Sequence, residues 1–425
     1  MSMKRALLSI AVAAPIFYMS GAAGQNLVLT DARILDGAGG LIERGSIVVS
    51  DGRIVSVAAG AARVPAGTRE IDVDGKTVMP GFIDAHRHLI QGDPNEWLAQ
   101  RAAAQMAEFL AAGFTTVLSA IDAPQILEAR QRLEQERLVG PRIFAGTFLP
   151  LAGPVAPAGG VGSGPPAGDP ARTDASRAPR TRAAPAIPRD VTIKAVEDAA
   201  RAGFDYIKTV IVATPGGPEI ETLRLIVEEG KKRNLPTITH AVSVVDALAA
   251  VEAGPAVLVH TPHIGRLEQD PEAVRKIVAA GIPMTSTLAV FLPHFGPNNE
   301  PLFRDGLPFP WHTISSAGQG PVNARLLWDA GISYGYGTDT TWPPKQALVD
   351  ELRALRVVFS PQDIVTIITK NAASSVLNSD EIGTLEPGKL ADIVVIDGDP
   401  LQTSEALLNV VITVKEGRVV FETAR

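Results

Sequence analysis

The chain contains no cysteine in its 425 residues. That excludes disulfides, thiolate metal sites and a lipid anchor on a cysteine behind a leader. A core of the size this length allows does not need covalent staples. Basic residues are not in excess: 39 Lys and Arg against 46 Asp and Glu give a net charge of −7, which argues against nucleic acid as the main partner. Heptads and short repeats are missing. Long apolar runs are missing too, outside the first residues. There, Lys4 and Arg5 precede "ALLSIAVAAPIFYM" and the small residues of "SGAAG". This reads as an export signal over residues 1–24, cleaved near Gln25. The apolar part is short of the roughly 20 residues a spanning helix needs, and Pro15 interrupts it. An uncleaved anchor is the alternative. The expected location is the periplasm or the medium, with no membrane span once the signal is removed.

What is present is an ordinary globular balance, 46% hydrophobic and 20% charged, with length for roughly two or three domain-sized units. Strand-like runs, "NLVLTDARILD", "GSIVVSDGRIVSVA" and "REIDVDGKTVM", are separated by turn residues and read as β-hairpins. The carboxyl end repeats the style in "LADIVVIDGDP" and "NVVITVKEGRVVFE". These ends, residues 25–78 and 383–425, are expected to pair into one small β-sandwich domain. Residues 79–382 alternate eight strand candidates with helical patterns, several of which stop at glycine. The expected fold class is α/β, a (β/α)₈ TIM barrel, with a doubly wound open sheet as runner-up. Residues 150–188, rich in Pro, Gly, Ala and Arg, break the rhythm after the third strand. They read either as a lid, whose arginines suit a carboxylate, or as a solvated loop.

Histidine is also scarce, seven in all, yet two stand at alternate positions in "GFIDAHRHL". Residues two apart on a strand point the same way, so His86 and His88 would offer two imidazoles to one ion. Alone, the pair is as readily a satisfied histidine pair. Three further strand ends add Lys208 and His240, then His260, and the last adds Asp339. At that end of a barrel such residues read as catalytic. Each has a plainer reading: Lys208 a salt-bridge partner, His260 and His263 loop hydrogen bonders, Asp84 a group orienting a histidine or the backbone. His294 and His312 receive no metal role.

The motifs "PGFIDAHRHL", "HAV", "LVH", "GTD" and "GTLEPGKLADIVVIDGDP" resemble the amidohydrolase superfamily, and the lysine in "AGFDYIK" resembles its imidazolonepropionase-like and Xaa-Pro dipeptidase-like branch. The resemblance spans nearly all of the chain after the signal. It implies a binuclear centre of two divalent metal ions, usually zinc. His86, His88 and Asp339 would hold one ion and His240 and His260 the other. Lys208 would bridge them as a carboxylated lysine, and Asp339 would be the catalytic proton carrier for a hydroxide shared by the metals. Arg87 is bulky for the middle of the HxH motif and should point away from the ions. Trp342, where small residues are common, is expected to wall the pocket, and His263 to contact substrate.

The expected activity is hydrolysis of an amide in a dipeptide or N-acyl amino acid, so the expected partner is a small-molecule or dipeptide-like substrate. A lactonase or phosphotriesterase stays open, as do a mononuclear deaminase, in which Lys208 lacks a role, and a non-catalytic metal-dependent binding protein. A homo-oligomer also stays open.

Overall fold

The computed structural model describes residues 26–64, 66–153, 184–291 and 319–423. The export signal, most of the 150–188 insertion, His294 and His312 lie outside these residues. Among the described residues no helix is long and apolar enough to cross a membrane.

The chain begins with β1 (Leu27–Leu35), β2 (Leu41–Ser50) and β3 (Arg53–Ala59). They form the two antiparallel hairpins that their turn residues predict. The third predicted hairpin is not one. β4 (Arg69–Asp72) and β5 (Thr77–Pro80) do not pair with each other; both run parallel to β1. The reason lies in β1, whose register shifts around Asp31, a residue with φ of 52°. The kink divides β1 in two, and β4 takes Leu27–Thr30 while β5 takes Arg33 and Ile34. The turn between β4 and β5 bonds back to that kink, Gly75 N–H donating to Asp31 C=O at 2.8 Å.

Eight parallel strands follow: β6 (Phe82–Arg87), β7 (Phe114–Ser119), β8 (Arg142–Phe148), β9 (Tyr206–Val210), β10 (Thr237–His240), β11 (Val257–Val259), β12 (Met284–Thr285) and β13 (Tyr334–Gly335). Each pairs with the next in chain order. β6 and β7 are buried along their whole length, as parallel strands covered on both faces must be. The first and last strands then meet. Ala85 N–H donates to Tyr336 C=O at 3.0 Å, and Thr338 and Asp339 N–H both donate to His86 C=O at 3.0 and 2.8 Å. This seam makes a nearly closed barrel and excludes the open sheet. Helices follow the strands with the predicted stops: Arg189–Ala202 ends at Gly203 and Val244–Ala253 at Gly254, both glycines left-handed.

The carboxyl-terminal strands β14 (Ile393–Ile396), β15 (Val410–Lys415) and β16 (Arg418–Glu422) return to the first sheet, β14 lying antiparallel to β5. The order is β16-β15-β14-β5-β1-β2-β3, a single mixed sheet. It closes over its own core, which draws Leu27 and Leu29 from β1, Ile54 from β3, Ile393 from β14 and Val419 from β16. Its far ends touch: Ala391 N–H donates to Gly52 C=O at 2.8 Å and Gly417 N–H to Ala391 C=O at 3.0 Å. Arg142, at the start of β8, ties barrel to sheet through Asp392 at 2.7 Å and Glu416 at 2.6 Å.

Candidate metal centre

The predicted residues converge at the ends of the barrel strands. His86 Nε2 lies 3.1 Å from Asp339 Oδ1, and His88 Nε2 lies 3.0 Å from the same oxygen. The other Asp339 oxygen stands 3.8 Å from His260 Nε2. The His240 and His260 rings are 4.3 Å apart, and Lys208 Nζ is 3.3 Å from His86 Nε2. Lys208, His86 and His260 are each only 1% exposed. Two glycines in "YGYGTD" allow the close approach. A Cβ on Gly337 would come within 3.0 Å of His86 Cβ, and one on Gly335 within 2.4 Å of Ser375 Oγ.

His260 reaches the group through an unusual backbone. Val259 pairs with His240 and so shares its face of the sheet. An extended His260 would point the other way. Its φ of 77° turns the ring back, and Asp339 at the end of the last strand is likewise left-handed, with φ of 52°. Such conformations cost free energy and persist where the surroundings impose them.

Burial sets the charges. It drives the His86 and His240 imidazoles down to about 3, with the Lys208 charge adding to the effect, and pulls His260 well below its usual value. All three are therefore neutral and keep a lone pair. His88 differs: burial opposes its charge, but its bond to Asp339 and the attraction of Asp339 and Asp122 together outweigh burial and raise it. Burial would push Asp339 up, yet the charge that His86 and His260 take on in acid, with the hydrogen bonds of His86 and His88, holds it well below the usual carboxylate range. Lys208 is pulled by burial down to about 7, against the attraction of Asp339. The donor set suits a divalent metal, for His86, His88 and Asp339 each present a ligand atom within 4.8 Å of the others, the span of one ion.

Asp84 accepts from His86 N–H at 3.2 Å and from the Thr338 hydroxyl at 2.7 Å, the orienting role expected of it. Arg87 does turn away from the site. It is wholly buried, donates to Thr338 Oγ1 at 2.9 Å and to the Trp342 carbonyl, and lies over the Phe109 ring at 5.2 Å. Trp342 is thus anchored by its backbone, and its side chain is half-buried. His263 stacks on Phe291 with ring centroids 4.0 Å apart, next to His260.

Sequence reasoning missed three groups. Asp122 accepts from the N–H groups of Leu89 and Ile90 at 2.8 and 3.0 Å, clamping the turn after His88. Thr287 holds His260 Nδ1, and Glu351 holds the segment after Thr287. Only Glu351 left a signal, a carboxylate among the buried Leu348, Leu352 and Leu355 of one helix.

The family profile described as "Amidohydrolase family" matches residues 77–420. The imidazolonepropionase of Rhodococcus jostii is 24% identical over 401 residues, covering 87% of this chain and 86% of that one. The imidazolonepropionase of Symbiobacterium thermophilum is 25% identical over 427 residues, covering 92% and 90%. Among solved structures, a candidate prolidase from Bifidobacterium longum superposes with a TM-score of 0.73 at 25% identity, covering 95% of this chain and 96% of that one. A Xaa-Pro dipeptidase with bound methionine in its active site shares the fold, with a TM-score of 0.71 at 20% identity over 93% of this chain and 99% of that one. With the barrel, the converging histidines and this match in hand, the chain belongs to the amidohydrolase family and is a hydrolase of carbon–nitrogen bonds.

Proposed function

We propose that this hydrolase works with two divalent metal ions, zinc in the first instance, and cleaves the amide of a dipeptide or N-acyl amino acid. The observation that carries the binuclear reading is Lys208. An amine buried among four imidazoles and pulled down to about 7 is poised to lose its proton near neutrality. Neutral Nζ can then bond to the carbon of carbon dioxide and release a proton. The product is a carbamate whose two oxygens share one negative charge, where an ammonium would repel a cation. His86, His88 and Asp339 would hold one ion, His240 and His260 the other, and the Lys208 carbamate both.

Metals bound there supply an acidified water and a Lewis acid for the scissile carbonyl. Asp339, kept as a carboxylate and 21% exposed, takes the proton of the attacking water and returns it to the leaving amine. His88 Nδ1 lies 3.3 Å from the Ile121 carbonyl, which would take its proton and leave Nε2 free for the ion. His263 and Trp342 border the substrate in this reading. The dipeptide or N-acyl class draws on the prolidase and dipeptidase likenesses.

Elemental analysis of protein purified without chelators tests the centre, with about two equivalents of zinc expected per chain. One equivalent or fewer after reconstitution sinks the binuclear reading. Turnover of N-acyl amino acids beside lactones and phosphotriesters tests the bond. Faster turnover of the esters would replace the amide assignment.

A further inference from the structure

His260 is held from behind by a chain of wholly buried groups. Its Nδ1 lies 2.7 Å from Thr287 Oγ1. Thr287 has φ of 47°, a left-handed backbone that a β-branched residue adopts only under constraint. The constraint is visible on both sides. Thr287 N–H donates to Gly337 C=O at 3.0 Å. The next two N–H groups, Leu288 and Ala289, point at one carboxylate: Leu288 donates to Glu351 Oε1 at 2.9 Å and Ala289 to Oε2 at 2.8 Å. Successive N–H groups beside a left-handed residue form a concave anion seat. Here the anion is a side chain of the same protein, 63 positions away on the helix Pro344–Leu355.

Glu351, Thr287 and His260 are 0%, 0% and 1% exposed. Seating a carboxylate so deep is costly, and burial raises Glu351 to about 7. An apolar residue would pack the helix without that cost, but it could not hold two adjacent N–H groups in place.

We propose that Glu351 is a positioning residue for the metal centre: by seating the Leu288 and Ala289 N–H groups it fixes Thr287 left-handed, and the Thr287 hydroxyl then decides which nitrogen His260 presents. A His260 ring that presents its Nε2 lone pair carries its proton on Nδ1 and donates it to Thr287 Oγ1, while Nε2 stands 3.8 Å from Asp339. The inference rests on the reading of His260 as a metal ligand.

The test measures zinc content, and zinc affinity by chelator competition, on the full-length chain. Thermal unfolding of the metal-free protein is followed in parallel. Outer groups that orient metal ligands are typically worth about 10–100-fold in affinity. Thr287→Val and Glu351→Gln should weaken the more loosely held zinc by that factor, and Thr287→Ser, which restores the hydroxyl, should recover most of it. A purely structural Glu351 would lower the unfolding temperature and leave zinc affinity at the wild-type value, which overturns the proposal. So would a Thr287→Val protein that binds zinc like the wild type. Should Glu351→Gln not fold, Glu351→Asp keeps the charge but withdraws it from the seat, and wild-type affinity in that variant counts equally against the idea. His260→Ala separates the two levels. If it retains both zincs, the metal-ligand reading itself fails; if it loses one while the Thr287 and Glu351 variants lose nothing, only the positioning role fails.

Discussion

Arg142 and Lys208 are both cations removed from water, and the protein treats them in opposite ways. Arg142 sits where barrel meets sheet, 17% exposed, with Asp392 at 2.7 Å and Glu416 at 2.6 Å. Burial opposes its charge, but the two carboxylates overrule burial and hold it above its usual range. Lys208 sits at the other end of the barrel wall, 1% exposed, and burial wins against Asp339. A buried cation with matched carboxylates is a fastener. A buried cation left underpaired is an amine held ready for chemistry. The same strand neighbourhood supplies both: Arg142 opens β8, and Lys208 lies opposite Phe148 at the end of that strand.

The contrast predicts a ranking. The largest effect should come from Lys208→Ala, with loss of metal and a fall in turnover beyond that of any other variant described here. Short carboxylic acids should restore part of it by standing in for the proposed carbamate. A variant that keeps both metals would end the contrast. Asp339→Asn follows. It keeps the fold and loses the proposed proton carrier, so kcat should drop about 10²–10⁴-fold. Near-normal kcat would remove Asp339 from the mechanism.

Arg142→Met should do the reverse of these two. It leaves Asp392, 4% exposed, buried without its partner, and a broken buried pair typically costs about 3–5 kcal/mol. Urea unfolding should show the loss while kcat of the folded enzyme stays put; a change in kcat without lost stability would blur the distinction. pH sharpens it further. Lys208 titrates near 7 in the folded chain and at 10.5 unfolded, so between these values the unfolded state binds the extra proton. Stability of the metal-free protein should therefore rise with pH across that window, by up to about 1.4 kcal/mol per unit, and Lys208→Met should flatten the rise. The smallest effect is expected of Lys194→Ala, whose partner Asp198 is one turn along an exposed helix face. Its unfolding midpoint should match the wild type within error.

Most of the barrel could be read because its strands carry apolar runs and its helices stop at glycines such as Gly203 and Gly254. The candidates His86, Lys208 and His240 could be read because they stand in strands whose alternation fixes their direction, and His88 because it follows one; Asp339, left-handed beyond the last strand, was legible only from its place in the chain. His260 was legible only as a strand-end histidine; the backbone twist that aims it has no periodic signature. The β4–β5 pair was misjudged because its turn chemistry is that of a hairpin, and the kink at Asp31 that recruits both strands to β1 is a tertiary event. Thr287 and Glu351 stayed hidden for a related reason. Their partners lie 27 and 63 positions away, and a buried polar contact at such distance leaves no local pattern.

The barrel seam has a consequence for assembly. The His86 carbonyl receives both the Thr338 and Asp339 N–H groups, and His88 meets Asp339 across 251 positions of chain. The first strand of the barrel and the residue after it contribute two of the four imidazoles, and the segment after the last strand the carboxylate they share. A nascent or stalled chain that has made every strand but the eighth thus has no such donor set. Ligand atoms from so far apart converge only when the ring shuts, one of the slow, long-range steps of folding. On the proposed reading, the site for the ion shared by His86, His88 and Asp339 is complete only with the final strand, so tight loading there would mark a finished molecule and pass over its precursors.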